Sequence, residues 1–167
     1  MSAAVEIFAG QGLHHLPLEF PLAAGGGLPS GLLAYELEGN PHGPVVVIQG
    51  GISSGRHVAS SSLDPTPGWW EAMVGPERAI DTRHVRVLAT DWLGGTGASS
   101  GPANWGRDEV FPLISSHDQA RAIARLLDHL GIERLERFIG ASYGGMVALA
   151  FAEQFPERLL GAVAISA

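Results

Sequence analysis

From Val45 onward the chain carries short apolar runs that do not alternate. They are Val45-Val46-Val47-Ile48, Val85 to Ala89, Phe138-Ile139 and Ala162-Val163-Ala164-Ile165. Runs of this length and composition are expected of strands buried on both faces of a parallel sheet. Helical periods separate them. His117 to Leu130 places Ala120, Ile123, Ala124, Leu127 and Leu130 on one face, with Asp118, Arg121, Arg125 and Asp128 mainly elsewhere. Gly131 follows as the expected C-cap. Tyr143 to Phe155 reads as a second helix, ended before Pro156. Strand and helix in repetition predict an α/β fold: a mainly parallel sheet with helices on both faces.

Before Val45 the pattern is different. Leu33, Tyr35 and Leu37 alternate with Ala34, Glu36 and Glu38, the period of a half-buried strand. Leu16 to Phe20 is the expected partner, joined to it through Gly25-Gly26-Gly27 and Pro29-Ser30-Gly31. An antiparallel pair within residues 13–40 therefore precedes a parallel core over 44–167, all in one domain. Two stretches carry no period. Ser53 to Gly68 reads as a long loop with room for one helical turn, and Leu93 to Phe111 as another. Both follow the C-terminal ends of strands, where open parallel sheets bind ligands.

Composition narrows the function. With 46% hydrophobic and 16% charged residues, the 167-residue chain can bury a core. A net charge of −7 without a basic cluster argues against a nucleic-acid partner. The absence of cysteine excludes disulfides, thiolate catalysis and Cys-ligated zinc. No histidine spacing suggests a metal site. The N-terminus shows no basic segment followed by an apolar stretch, and no run approaches the roughly 20 apolar residues of a membrane span. A soluble, cytoplasmic protein with small-molecule substrates and no membrane partner is expected.

The chemistry centres on Gly140-Ala141-Ser142-Tyr143-Gly144, set between an apolar strand and a small-residue helix. A G-x-S-x-G turn in that context is the nucleophile elbow of the α/β-hydrolase fold, so Ser142 is the expected nucleophile. Tyr143 would donate its backbone N–H to the oxyanion. A second donor is expected in Gln49-Gly50-Gly51-Ile52-Ser53, after another buried strand. Ile52 is the candidate there, with Gly51 and Ser53 beside it as substrate-lining positions. A tight turn needing glycine for backbone reasons alone is the alternative. All seven histidines precede Ser142, so none fits the chain order of a Ser-Asp-His triad. His57 is the one expected near a pocket mouth. Asp91, at a strand end, reads as a structural acid. Trp69, Trp70, Trp92 and Trp105 are expected to pack loops onto the sheet.

Several segments in order resemble the homoserine O-acetyltransferase/O-succinyltransferase family. They include Gly68-Trp69-Trp70, Leu93-Gly94-Gly95, Ser100-Gly101-Pro102, Phe111-Pro112-Leu113-Ile114-Ser115 and Leu127-Asp128-His129-Leu130-Gly131-Ile132. Gly140 to Met146 and Phe155-Pro156-Glu157-Arg158 complete the series. The resemblance implies transfer of an acyl group from acetyl-CoA or succinyl-CoA to the homoserine hydroxyl, a step of methionine biosynthesis. The implied mechanism is ping-pong through acyl-Ser142, with Ile52 and Tyr143 as oxyanion donors and no resident cofactor. Gly50-Gly51-Ile52-Ser53-Ser54 and Tyr143 depart from the acetyl-transferring pattern and are similar to the succinyl-transferring branch. An esterase or lipase-type hydrolase would use the same elbow.

Ser142 lies 25 residues from the last residue. The chain therefore reads as the N-terminal half of the fold, incomplete at its C-terminal end. The catalytic Asp and His are expected beyond Ala167, in a longer parent or a companion chain, and the resemblance implies a homodimer. Alone, these residues would be inactive.

Overall fold

The computed structural model describes residues 8–106 and 110–167; Met1 to Ile7 and Arg107 to Glu109 lie outside the described residues, and with them the leader reading and part of the Leu93–Phe111 loop. Strand β1 (Phe8–His15) pairs antiparallel with β4 (Leu32–Gly39), with Gly10 opposite Leu37 and Leu13 opposite Ala34. The expected partner, Leu16 to Phe20, is corrected. Two glycines and several polar residues hide the strand character of β1. Leu16 instead closes the pair by donating its N–H to the Gly31 carbonyl at 2.9 Å. The residues between fold over the core, where Leu16, Phe20, Leu22 and Leu28 are buried. Two short strands, β2 (Phe20–Pro21) and β3 (Gly27–Leu28), pair there.

The apolar runs form β5 (Val45–Gln49), β6 (Arg86–Thr90), β7 (Arg137–Ala141) and β8 (Ala162–Ile165). The main sheet has the order β1-β4-β6-β5-β7-β8. Strand β4 runs antiparallel to β6, and β6, β5, β7 and β8 are mutually parallel. Helix α1 (Ser116–His129) links β6 to β7, and α2 (Tyr143–Gln154) links β7 to β8 through a 3₁₀ turn at Pro156–Arg158.

Both helices cover one face of the sheet. There Leu33, Leu37, Val45, Val47, Leu88 and Phe138 pack with residues such as Ile123, Leu127, Val147 and Phe151. The opposite face, formed by Val46, Ile48, Val87 and Ala89, is covered by Val58, Ala59, Val74, Trp69 and Trp70. The expectation of helices on both faces is thus met on one face among the described residues. Connection handedness explains the division. Right-handed crossovers moving in one direction along a sheet share a face, and a crossover moving back lies on the other. The β6-to-β7 and β7-to-β8 connections move one way, and β5-to-β6 moves back. Its Ser-, Gly- and Pro-rich first part, Ser53 to Gly68, forms no helical turn. The reversal of direction around β5 opens a crevice at its C-terminal end.

Asp118 was expected mainly off the apolar face of α1, yet it is fully buried. It forms a capping box with Ser115. Its carboxylate also accepts the Ala23 N–H at 2.8 Å and pairs with Arg121. These bonds pin the N-terminal segment to α1. Strand β8, expected to be buried on both faces, is an exposed edge, with Val163 and Ile165 about two-fifths exposed.

Candidate active site

Strand β7 ends at Ala141 and α2 begins at Tyr143, so Ser142 alone makes the turn. Its backbone takes φ 53° and ψ −120°. That conformation is rare for a residue with a Cβ and costs of order 1–3 kcal/mol. Surrounding bonds hold it. The Ser142 N–H donates to the Ile165 carbonyl at 2.8 Å, and its own carbonyl accepts from Gly145 and Met146 at 2.8 and 3.2 Å. The side chain is exposed, and among the described residues no group hydrogen bonds its hydroxyl.

Glycine is needed at this turn because backbones approach closely. The Gly144 N–H donates to the Gly50 carbonyl at 2.9 Å, which docks the start of α2 on the end of β5. A Cβ on Gly144 would sit 2.2 Å from the Gln49 carbonyl oxygen, and one on Gly140 would sit 2.0 Å from the Gly144 carbonyl. The helix is thereby brought against the Gln49–Ser53 loop. Tyr143 and Ile52 line one cleft of about 210 Å³, with Trp92, Leu93, Phe111, Leu113 and Gln119 around them. The Tyr143 N–H is the first of α2 and has no acceptor within the helix. The Ile52 N–H likewise donates to no group among the described residues. Free backbone donors at a helix N-terminus suit a developing negative charge. Burial raises the pKa of the Tyr143 hydroxyl, so that ring enters the cleft uncharged.

The other expected residues fall nearby or elsewhere. The Gly51 carbonyl accepts from the Ser54 N–H at 2.9 Å and from the Trp92 indole at 3.0 Å. Ser53 lines a smaller crevice with Asp91 and Gly95, between the two glycine-rich loops. Asp91 is a structural acid that ties those loops together. Its carboxylate accepts the Arg56 N–H at 2.8 Å and the Ala98 N–H at 2.7 Å, and it pairs with the Arg56 guanidinium. His57, expected near a pocket mouth, does not line the cleft. It bonds Glu36 at 3.1 Å and the Thr66 carbonyl at 2.8 Å, beneath the loop that covers the opposite face. The tryptophans pack as expected. Trp69 stacks on Trp70, and Trp105 meets Phe111 edge-on. The roles of Gln119, which clamps both backbone groups of Leu93, and of Arg56 were missed. Each depends on a partner at least 26 residues away, which no local pattern marks.

No group of three or more His, Cys, Asp or Glu fit to hold a metal occurs among the described residues. No described helix is long and apolar enough to cross a membrane.

A strained serine between a parallel strand and a helix, with two N–H groups unpaired among the described residues, is the strand–turn–helix arrangement of the α/β-hydrolase fold. The α/β-hydrolase fold family matches residues 43–167, and this chain belongs to that family. Among curated relatives, the chain is 46% identical over 134 residues to a homoserine O-succinyltransferase of Xanthomonas campestris, covering 80% of this chain and 33% of that protein. It is 40% identical to a homoserine O-acetyltransferase of Geobacter sulfurreducens, covering 80% of this chain and 39% of that protein. Among solved structures, esterase E22 superposes with a TM-score of 0.80 at 27% identity, over 91% of this chain and 46% of that one. Homoserine O-acetyltransferase from Bacillus anthracis gives 0.76 at 28%, over 92% and 46%. The chain thus spans about a third to a half of the length of these relatives.

Proposed function

We infer that this chain carries the nucleophile and oxyanion site of a cytoplasmic acyl-CoA-dependent O-acyltransferase that acts on the hydroxyl of homoserine. The observation that carries the reading is the strained, exposed Ser142 at the turn into α2, next to Tyr143, which lines one cleft together with Ile52. The relatives named for homoserine acylation support the substrate class. Ser142 Oγ attacks the thioester carbonyl of acetyl-CoA or succinyl-CoA. Its proton passes to a base supplied from outside these residues. The carbonyl oxygen becomes negative and is held by the Tyr143 and Ile52 N–H groups. The C–S bond breaks and CoA leaves as the thiol. The base, left free when its proton goes to the CoA sulfur, then takes the proton of the homoserine hydroxyl as that oxygen attacks acyl-Ser142; the bond to Oγ breaks and the base gives this proton to Ser142. Gly51 and Ser53 border the acyl group.

The likeness to esterase E22 favours one rival, in which water takes the place of homoserine. Intact mass spectrometry of the protein in the form that also carries the base distinguishes the two. The expected result is an acetyl or succinyl adduct on Ser142 that homoserine discharges and water does not, and that Ser142→Ala abolishes. Discharge by water at the same rate would make the protein a hydrolase. An undiminished adduct in Ser142→Ala would refute the nucleophile.

A further inference from the structure

Trp92 is the cleft residue that this mechanism leaves without a role. It follows β6 directly and is almost fully buried. Its indole N–H donates to the Gly51 carbonyl at 3.0 Å, and the Ser54 N–H donates to the same oxygen. In a trans peptide the carbonyl and the next N–H point in opposite directions. A carbonyl fixed by two donors therefore fixes the direction of the Ile52 N–H. The same indole meets the Tyr143 ring edge-on, with centroids 4.9 Å apart and planes at 69°. One side chain thus touches the peptide that presents one free N–H and the residue that presents the other.

The anchor is itself held firmly. The Gln119 side chain accepts the Leu93 N–H at 3.2 Å and donates to the Leu93 carbonyl at 2.8 Å. The Gly95 N–H donates to the Trp92 carbonyl at 3.1 Å. Gln119 is buried on α1, so Trp92 projects from a backbone clamped to the core.

We propose that Trp92 is a positioning residue for acyl transfer: its indole N–H holds the Gly51–Ile52 peptide so that the Ile52 N–H faces the developing oxyanion, and its ring sets Tyr143 beside it. The proposal rests on the acyl-enzyme reading above. Donors aimed in advance stabilise the transition state without reorganisation during the reaction. Rotation of an untethered Gly51–Ile52 peptide would turn a carbonyl, rather than an N–H, toward the negative charge.

The test compares the protein, in the form that also carries the base, with Trp92→Phe and with a semisynthetic form bearing 3-benzothienylalanine at position 92. In the latter, sulfur replaces the indole N–H and the shape is kept, so it carries the comparison if Trp92→Phe does not fold. Two quantities are read: single-turnover acylation of Ser142 by succinyl-CoA and acetyl-CoA, and hydrogen exchange at the Ser54 amide, which is bonded to the same Gly51 carbonyl as the indole. The maximal acylation rate is expected to fall about 10- to 100-fold, with KM for the donor within about twofold, because oxyanion contacts form in the transition state. Exchange at Ser54 is expected to quicken in both variants, because the carbonyl it bonds is freed to rotate. An unchanged rate, or a raised KM with the rate intact, would overturn the proposal. If the unsubstituted protein forms no adduct, the acyl-enzyme reading fails instead. Ser54 exchange then decides the tether separately, and unchanged exchange would overturn it.

Discussion

Glu38 has no role in acyl transfer, yet it bears on stability. It lies on β4 facing the loop-covered side, and it is buried. Burial first, and the charge of Glu36 second, push its carboxyl up to about 7. The folded state therefore holds a proton that the unfolded chain releases near 4.5. Stability should fall as pH rises from about 4.5 to about 7 and then level off. His57 adds to the trend. Burial would lower its pKa, but the Thr66 carbonyl and Glu36 outweigh that and raise it. Both ring nitrogens face acceptors, which suits the doubly protonated ring. Its contribution is complete below its unfolded pKa of about 6.5 and is lost as pH rises through the higher folded value. Glu38→Gln should therefore unfold later than the parent at pH 8, by on the order of 2 kcal/mol, and match it at pH 4. Denaturant melts at the two pH values check this, and equal midpoints at pH 8 would refute it.

The strand–turn–helix unit around Ser142 shows what local sequence can encode. Gly140, Ser142 and Gly144 were legible because their spacing reports a steric fact: the backbones of β7, α2 and β5 meet there. The runs that became β5, β6 and β7 were legible because burial at most of their central positions keeps polar residues to the strand ends. Strand β1 was not, because its side chains Gly10 and Gly12 carry no hydrophobic signal and its place is set by pairing with β4. Leu16 to Phe20 misled in the opposite sense, since Leu16 caps the core without belonging to a strand and Phe20 only begins the two-residue β2, away from β4. Gly144→Ala tests the close approach at this unit. Its Cβ would overlap the Gln49 and Gly50 carbonyls, so α2 must lift from β5. Overpacking of this kind costs about 1–3 kcal/mol. Thermal denaturation should show that loss, and the Ser142 adduct should form more slowly even where the protein remains folded.

At the scale of the whole molecule, the two faces of the sheet are built differently. One is sealed by helices whose periodicity announced them. The other is sealed by a loop whose packing rests on Trp69, Trp70 and the Arg56–Asp91 pair, contacts that join residues far apart in sequence. The sheet also has unequal margins, and β8 leaves Val163 and Ile165 exposed on a strand with one neighbour. Exposed apolar edges invite pairing with another chain, and a lysine there discourages it. Val163→Lys should lower concentration-dependent light scattering of this chain while moving its melting midpoint by no more than a few degrees. Unchanged scattering would place any self-association elsewhere. This margin reaches the nucleophile, because the Ser142 amide is tied to Ile165, the last residue of β8. The bond between Ser142 and Ile165 therefore makes the serine's pose depend on how firmly β8 is held to β7. Whatever steadies that pairing lengthens the time the serine spends ready to react, without touching it.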